Sequence, residues 1–415
     1  MRAFATDQRA RNNGIRRSTL ALEFVLLLLS TPALSAGTPP NANCHVQVAF
    51  AKVGGLLNNK SYDRARSELD QLRNCGGLSE AERFNLGWLF GRARDFHSAL
   101  DIFHSLPAKV PDLSTHLYAI ALSEFELGDY QSVVTTLKSI QPERQLDARS
   151  ANLLGVSYSK LGLYREAYTV LTEHLKNDPH DGFAYLNLVA LFADSGDYSH
   201  AAQVATQATM VFPKDSEMFL VLGAADSLEG DYSKAHDDLE KAVQLSPHLA
   251  QPRFLLAVSD YKRRDLSRAV NDIREALADG IVDSDLHYLF AQCLFELDPT
   301  KDVEISAELN RAIAINPKNI SARTMRGTML LKQHHPKEAI ADLELAHQMD
   351  PNSRNATYAL ARALMATGRK DEAKNLSAQL NGQVNQDLEN QRRMEEVEGL
   401  SKRRLKEALA GENPR

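Results

Sequence analysis

Histidine is the first side chain to weigh for chemistry, since the 415-residue chain carries 13 of them. They fall into no pattern that a reaction needs. There is no His-Glu-x-x-His helix to set a base beside a metal, no glycine-rich loop to cradle phosphate, no Gly-x-Ser-x-Gly elbow and no paired Cys-x-x-Cys. The nearest approach to a metal set is His97, Asp101 and His104, which at i, i+4 and i+7 would share one helix face. Ala99, Phe103 and Leu106 are interleaved with them and claim the inward face, so the trio reads as solvated surface. His334-His335 reads as part of a turn, and the sequons at Asn59, Asn319, Asn355 and Asn375 matter only in a eukaryotic secretory route. No catalytic residue, metal or cofactor is expected, and an enzyme would need a composite site assembled across distant segments.

Composition narrows the partners. Forty-eight basic residues against 54 acidic ones give a net charge of -6, which draws the chain neither to nucleic acid nor to an anionic membrane surface. Only 21 Gly and 15 Pro, with 7% aromatic residues, suit long runs of helix better than strand-rich domains.

The first 36 residues read as a secretory signal. Arg2, Arg9, Arg11, Arg16 and Arg17 precede an apolar run from Leu20 to Leu29, and the small-residue stretch Thr31 to Ala36 follows, with cleavage expected after Ser35 or Ala36. The run is too short to anchor in a bilayer, is interrupted by Glu23 and is closed by Pro32, so no membrane span is expected after cleavage. Arg16-Arg17 lacks the bulky apolar neighbour of a twin-arginine signal, because Thr19 stands there, and Asn41-Ala42-Asn43 before Cys44 is not a lipidation box. Residues 37–45 form a spacer. The expected location is therefore outside the cytoplasm, periplasmic or secreted.

A 34-residue period fills the rest. Leu154-Gly155, Tyr158, Gly162, Tyr164, Ala167, Leu171 and Pro179 recur as Leu188-Val189, Phe192, Gly196, Tyr198, Ala201, Ala205 and Pro213. They recur again as Leu222-Gly223, Gly230, Tyr232, Ala235, Leu239 and Pro247. Weaker copies follow outward to Tyr62 and Ala65 on one side and to Gly368 and Ala373 on the other. Between them the apolar residues fall at helical spacing in paired runs too short to be stable alone. Gly196-Asp197 and Gly230-Asp231 should each end one helix and cap the next, and Pro179, Pro213, Pro247, Pro317 and Pro351 should stop the second helix of each pair.

These residues resemble the tetratricopeptide repeat. The resemblance implies an all-α fold: a right-handed alpha-alpha superhelix of about ten helical hairpins over residues 46–384, closed by a C-terminal capping helix and a disordered tail within 385–415. Departures are visible, with about two extra residues near Asp298-Pro299-Thr300, and with Arg264 and His334 in place of the turn glycine. Gly155, Gly223 and the small residues Ala167, Ala201 and Ala235 should let neighbouring helices approach closely.

Carried over from such arrays, the groove positions on the first helices fall at Phe84 and Trp88, Tyr118 and Phe125, Asn152, Phe183 and Leu220. They continue at Phe254 and Tyr261, Tyr288 and Phe295, and Tyr358 with Arg362. Helix packing alone and contact with a ligand both account for aromatics at these positions. The Lys and Asn set that clamps a terminal carboxylate in chaperone-binding relatives is missing. The resemblance implies a scaffold that binds a protein or an extended peptide in its groove, or an accessory scaffold for envelope polysaccharide export or outer-membrane assembly. The repeat frame also places Cys44 before the first helix of the first hairpin and Cys75 at the end of its second, so a Cys44–Cys75 disulfide is expected, with Cys293 a buried free thiol.

Overall fold

A computed structural model describes residues 46–75, 77–107, 110–140 and 146–380, the side chain of Ala250 excepted. The expected leader, spacer and capping helix lie outside these residues. All the regular structure among the described residues is helical. The chain separates into two compact units, one ending at Ala184 and the other beginning at Tyr185.

The helices come in consecutive antiparallel pairs. The first pairs are α1 (Val46–Asn58) with α2 (Tyr62–Arg73), α3 (Glu80–Arg92) with α4 (Phe96–Ser105), α5 (Leu113–Glu126) with α6 (Tyr130–Lys138), and α7 (Ala148–Lys160) with α8 (Tyr164–Asn177). Next come α9 (Gly182–Asp194) with α10 (Tyr198–Val211), α11 (Ser216–Glu229) with α12 (Tyr232–Leu245), and α13 (Ala250–Lys262) with α14 (Leu266–Ala278). Then follow α15 (Ser284–Leu297) with α16 (Asp302–Ile315), and α17 (Ile320–Lys332) with α18 (Pro336–Met349). The last pair is α19 (Arg354–Ala366) and a helix over 370–380. First helices start one repeat length apart at Gly182, Ser216, Ala250 and Ser284, and the step from Ser284 to Ile320 is two longer, which is where the sequence places its insertion.

Local chemistry explains the boundaries. Asp95, Asp129, Asp197, Asp231 and Asp265 each accept a backbone N–H from the residue three positions on, and Ser79 with Glu82 forms a reciprocal capping box. Each such cap contributes about 1 kcal/mol. Inside the hairpins the chain reverses through a left-handed residue: Gly162, Gly196 and Gly230 at φ 73°, 74° and 94°, but Lys60, Arg94, Arg264 and His334 at φ 55°, 60°, 67° and 63°. The α15–α16 turn is built differently, by Asp298, whose carboxylate accepts both the backbone N–H (3.0 Å) and the hydroxyl (2.6 Å) of Thr300.

Small residues crossed by larger ones build the core of each unit. Ala65, Ala99, Ala167, Ala201, Ala235, Ala269 and Ala339, the fourth residue of their helices, are fully buried. Opposite them, Gly155 and Gly223 on the first helices lie against Leu171 and Leu239.

Candidate functional site

Recognition by a helical array depends on what its first helices leave uncovered. On α13, Phe254 and Tyr261 are seven residues apart, and on α15 Tyr288 and Phe295 are seven apart, so each pair spans two turns of one helix face. The second pair repeats the first exactly one repeat length later. All four side chains are half-buried and rest on one cluster that includes Ala257, Ile273, Phe290 and Cys293. The cluster fixes their rotamers while part of each ring stays open to solvent. Beneath them the Cys293 thiol is buried, and desolvation pushes its pKa up to about 12, so it acts as a small apolar residue and not as a nucleophile.

Charged groups rim the aromatics. The Tyr261 hydroxyl donates to the Glu296 carboxylate, which also pairs with the Arg264 guanidinium. Burial and that hydrogen bond raise the pKa of the Tyr261 phenol. The Lys332 ammonium stands 4.2 Å from the centroid of the Phe295 ring, within cation–π range. The patch therefore offers aromatic faces beside both signs of charge, an arrangement for stacking and hydrogen bonding.

The other expected groove residues divide by burial. Four are interior instead, because packing within and between hairpins closes over them. Phe84 lies against Phe103 at 5.3 Å between ring centroids, and Phe125 meets the edge of Tyr130 at 5.2 Å. Tyr118 is 1% exposed, with the Arg149 guanidinium 5.0 Å from its ring centroid. Asn152 donates to the Ala148 carbonyl (2.9 Å) and to Asp181 (2.7 Å), which also lies 2.7 Å from His174 Nε2. These side chains hold hairpins together. Trp88 and Leu220 are half-buried on clusters of their own, with the edge of Trp88 toward Phe103 at 6.2 Å. Phe183 and Tyr358 are exposed, as is Arg362, whose guanidinium is 5.8 Å from the Tyr358 ring.

Glu296 and Lys332 were not expected in the site. Glu296 directly follows an expected groove aromatic and reaches across to the end of the preceding first helix, but no residue-type pattern marks it. Arg264 stood out only as an odd turn residue.

His97, Asp101 and His104 are all exposed, Asp101 being paired with Arg73 at 3.3 Å. Among the described residues no group of three His, Cys, Asp or Glu side chains could hold a metal ion, and no helix is long and apolar enough to cross a membrane. Cys75 is disulfide-bonded and Cys293 is free, while Cys44 lies outside the described residues.

Comparison with known proteins follows the repeat. Residues 330–395 match the tetratricopeptide repeat family. A tetratricopeptide repeat protein from Parabacteroides merdae superposes with a TM-score of 0.47 at 18% identity, over 60% of this chain and 98% of that one. The Cut9-Hcn1 hetero-tetramer of the APC/C gives 0.44 at 20% identity, over 76% of this chain and 63% of that one. Yeast Tom70 gives 0.40 at 16% identity, over 88% and 98%. No curated protein matches the chain in sequence. Helical hairpins thus recur at a regular spacing through the described residues, all of whose regular structure is helical, and the stretch 330–395 matches the tetratricopeptide repeat family.

Proposed function

We propose that this chain is an exported interaction scaffold, and that the patch on α13 and α15 receives an extended segment of a partner protein. The observation that carries the reading is the set Phe254, Tyr261, Tyr288 and Phe295, held half-buried at one repeat spacing and rimmed by Arg264, Glu296 and Lys332. Aromatic side chains already fixed by a core lose little entropy on binding, and such residues dominate the energetics of interfaces. The spacing suits an extended segment, because each hairpin would present the same two rings to the next stretch of ligand. Export is supported by the signal-like pattern of residues 1–36 and by the disulfide at Cys75, a bond that persists in oxidising compartments.

A photo-crosslinking residue placed at Tyr288 of the full chain, compared with one at exposed Lys241 on α12, tests the site. Crosslinks to a discrete partner from Tyr288 alone, lost when Phe254→Ala is added, are the expected result. The same products from both positions, or indifference to Phe254, overturn it. For export, the N-terminal residue of the mature protein should fall just after Ser35 or Ala36; a retained Arg-rich leader overturns that part.

A further inference from the structure

The second helices of four consecutive hairpins place an acid at one structural position, the seventh residue: Asp238 on α12, Asp272 on α14, Glu308 on α16 and Asp342 on α18. Two of these acids meet cations or histidine. Glu308 Oε2 lies 2.6 Å from His287 Nδ1, and Glu308 is paired with Arg311. Asp342 accepts from Arg323 at 2.8 Å and from Arg326 at 2.7 Å. The other two meet a second acid. Asp238 faces Asp226 on α11, and Asp272 faces Asp260 on α13, each partner lying twelve residues earlier.

A carboxylate only accepts hydrogen bonds, so two buried carboxyl groups that face one another can bond only when one of them carries a proton. Burial enforces the point, since Asp226 is 3% exposed and Asp260 is 0% exposed. Asp260 Oδ2 and Asp272 Oδ2 are both buried and meet no donor. Surrounding groups do not satisfy them. Arg263, at the C-cap of α13, reaches Asp260 Oδ1 at 3.2 Å, and His236, on α12, stands 2.8 Å from the same oxygen without a well-directed hydrogen bond. Arg268 and Glu275 on α14, and Asp265 at its N-cap, act on this pair only through their charge. Around the first pair stand Lys234, Asp237 and Asp231, with Glu229 on α11.

We propose that each pair holds one proton in common, and that releasing it loosens the packing of the two hairpins from α11 to α14, so that this segment is firmest in mildly acidic surroundings. Burial first, then the partner carboxyl, pushes Asp238 and Asp272 up to about 7. Their folded values exceed the unfolded value near 4, so the folded chain binds the extra proton between those limits. The contribution is therefore complete below about pH 4, is lost as pH rises, and is gone above about pH 7. His236 works in the opposite sense, because burial and then Arg268 and Arg263 lower its pKa.

The test compares full-length wild type with the double variant Asp238→Asn, Asp272→Asn, which keeps His236 and supplies an amide donor to each partner at any pH. Between pH 5 and pH 7 the wild type should lose stability relative to the variant by up to about tenfold per pair per pH unit. Carbon-13 titration of aspartate carboxyls in the wild type should show two groups with midpoints near 7 that vanish in the variant. Parallel stability curves for the two proteins overturn the proposal. Should the variant fail to fold, the wild-type titration decides alone: every aspartate ionising below about pH 5 overturns it.

Discussion

A Cβ atom added to Gly223 would come within 2.5 Å of Leu239 Cγ, closer than packed carbon atoms approach. The pair sits at the crossing of α11 and α12, sixteen residues apart, and the same relationship joins Gly155 to Leu171 and Gly327 to Leu343, each at 2.6 Å. Gly87 stands likewise against Phe103, at 2.6 Å. The absence of a Cβ at these glycines, repeated along the chain, lets the facing side chain rest on the backbone and sets how closely the two helices of a hairpin approach.

Adding a side chain at such a glycine should therefore cost stability in proportion to what is forced apart. Gly223→Leu drives a branched side chain into Leu239 and into the Ala235 carbonyl, 3.0 Å from the same added Cβ. The expected loss is roughly 1 to 3 kcal/mol. Glu217 lies on the exposed side of α11, and Glu217→Ala should change stability by well under 1 kcal/mol. Thermal unfolding followed by circular dichroism checks the contrast, and equal melting of the two variants would contradict the register of the α11–α12 crossing.

The left-handed turn residues predict a change of opposite sign. His334 is exposed and holds φ 63°, a conformation that costs a side chain with a Cβ about 1 kcal/mol or more. Its backbone N–H bonds to the Leu331 carbonyl at 3.2 Å, as the turn requires of any residue. His334→Gly should therefore raise stability by roughly 0.5 to 1 kcal/mol, the relief of strain being partly offset by the freer unfolded chain. Gly162→Ala, at φ 73° in the equivalent turn, should lower it by a similar amount. A destabilised His334→Gly protein in chemical denaturation overturns the assignment.

What could be read from the sequence followed the strength of the repeat. The paired helices, the aspartate caps at Asp197 and Asp231, the buried alanines and the tight glycines are backbone and volume requirements that recur in several repeats, so each copy corroborates the others. The groove was legible only in part. Position in the repeat says which way a side chain points, but burial depends on the side chains packed around it, which differ along the chain. The same frame thus placed half-buried Tyr288 and fully buried Tyr118 in one class. The acid pairs escaped notice because single aspartates on helices look solvated. Only the contact between α11 and α12, and between α13 and α14, brings Asp226 to Asp238 and Asp260 to Asp272.

That difference in burial separates two aromatic truncations. Tyr118→Ala removes a side chain that is 1% exposed and should destabilise the fold by about 3 to 5 kcal/mol, the range for large-to-small core changes. Tyr288→Ala with Phe295→Ala removes half-buried rings from the patch, so the cost to stability should be smaller. The cost to partner affinity should be about 2 kcal/mol or more if these are hot spots. Melting temperature and equilibrium binding of the crosslinked partner, measured on both variants, separate the roles. Unaltered affinity in the folded Tyr288→Ala, Phe295→Ala protein would show that the patch is not the binding surface.

The cysteines offer a chemical test of the N-terminal hairpin. Cys75 is disulfide-bonded just beyond the end of α2, and Cys293 is a buried free thiol on α15. The pairing proposed for Cys75 is with Cys44, just before α1, because antiparallel helices bring the start of the first near the end of the second. The bond would enclose about 30 residues, and the chain-entropy account gives it roughly 3 to 4 kcal/mol of stabilisation. That contribution matters most in the first hairpin, whose α1 and α2 have a following hairpin but no preceding one among the described residues. Denatured without reductant, the protein should therefore show one reactive thiol, mapped to Cys293, and three after reduction. Cys44→Ser and Cys75→Ser should each expose a second thiol and lower the midpoint of unfolding of the first hairpin, whereas Cys293→Ser should leave the disulfide intact. Three reactive thiols in the unreduced wild-type protein would falsify the pairing and remove one of the two supports for export.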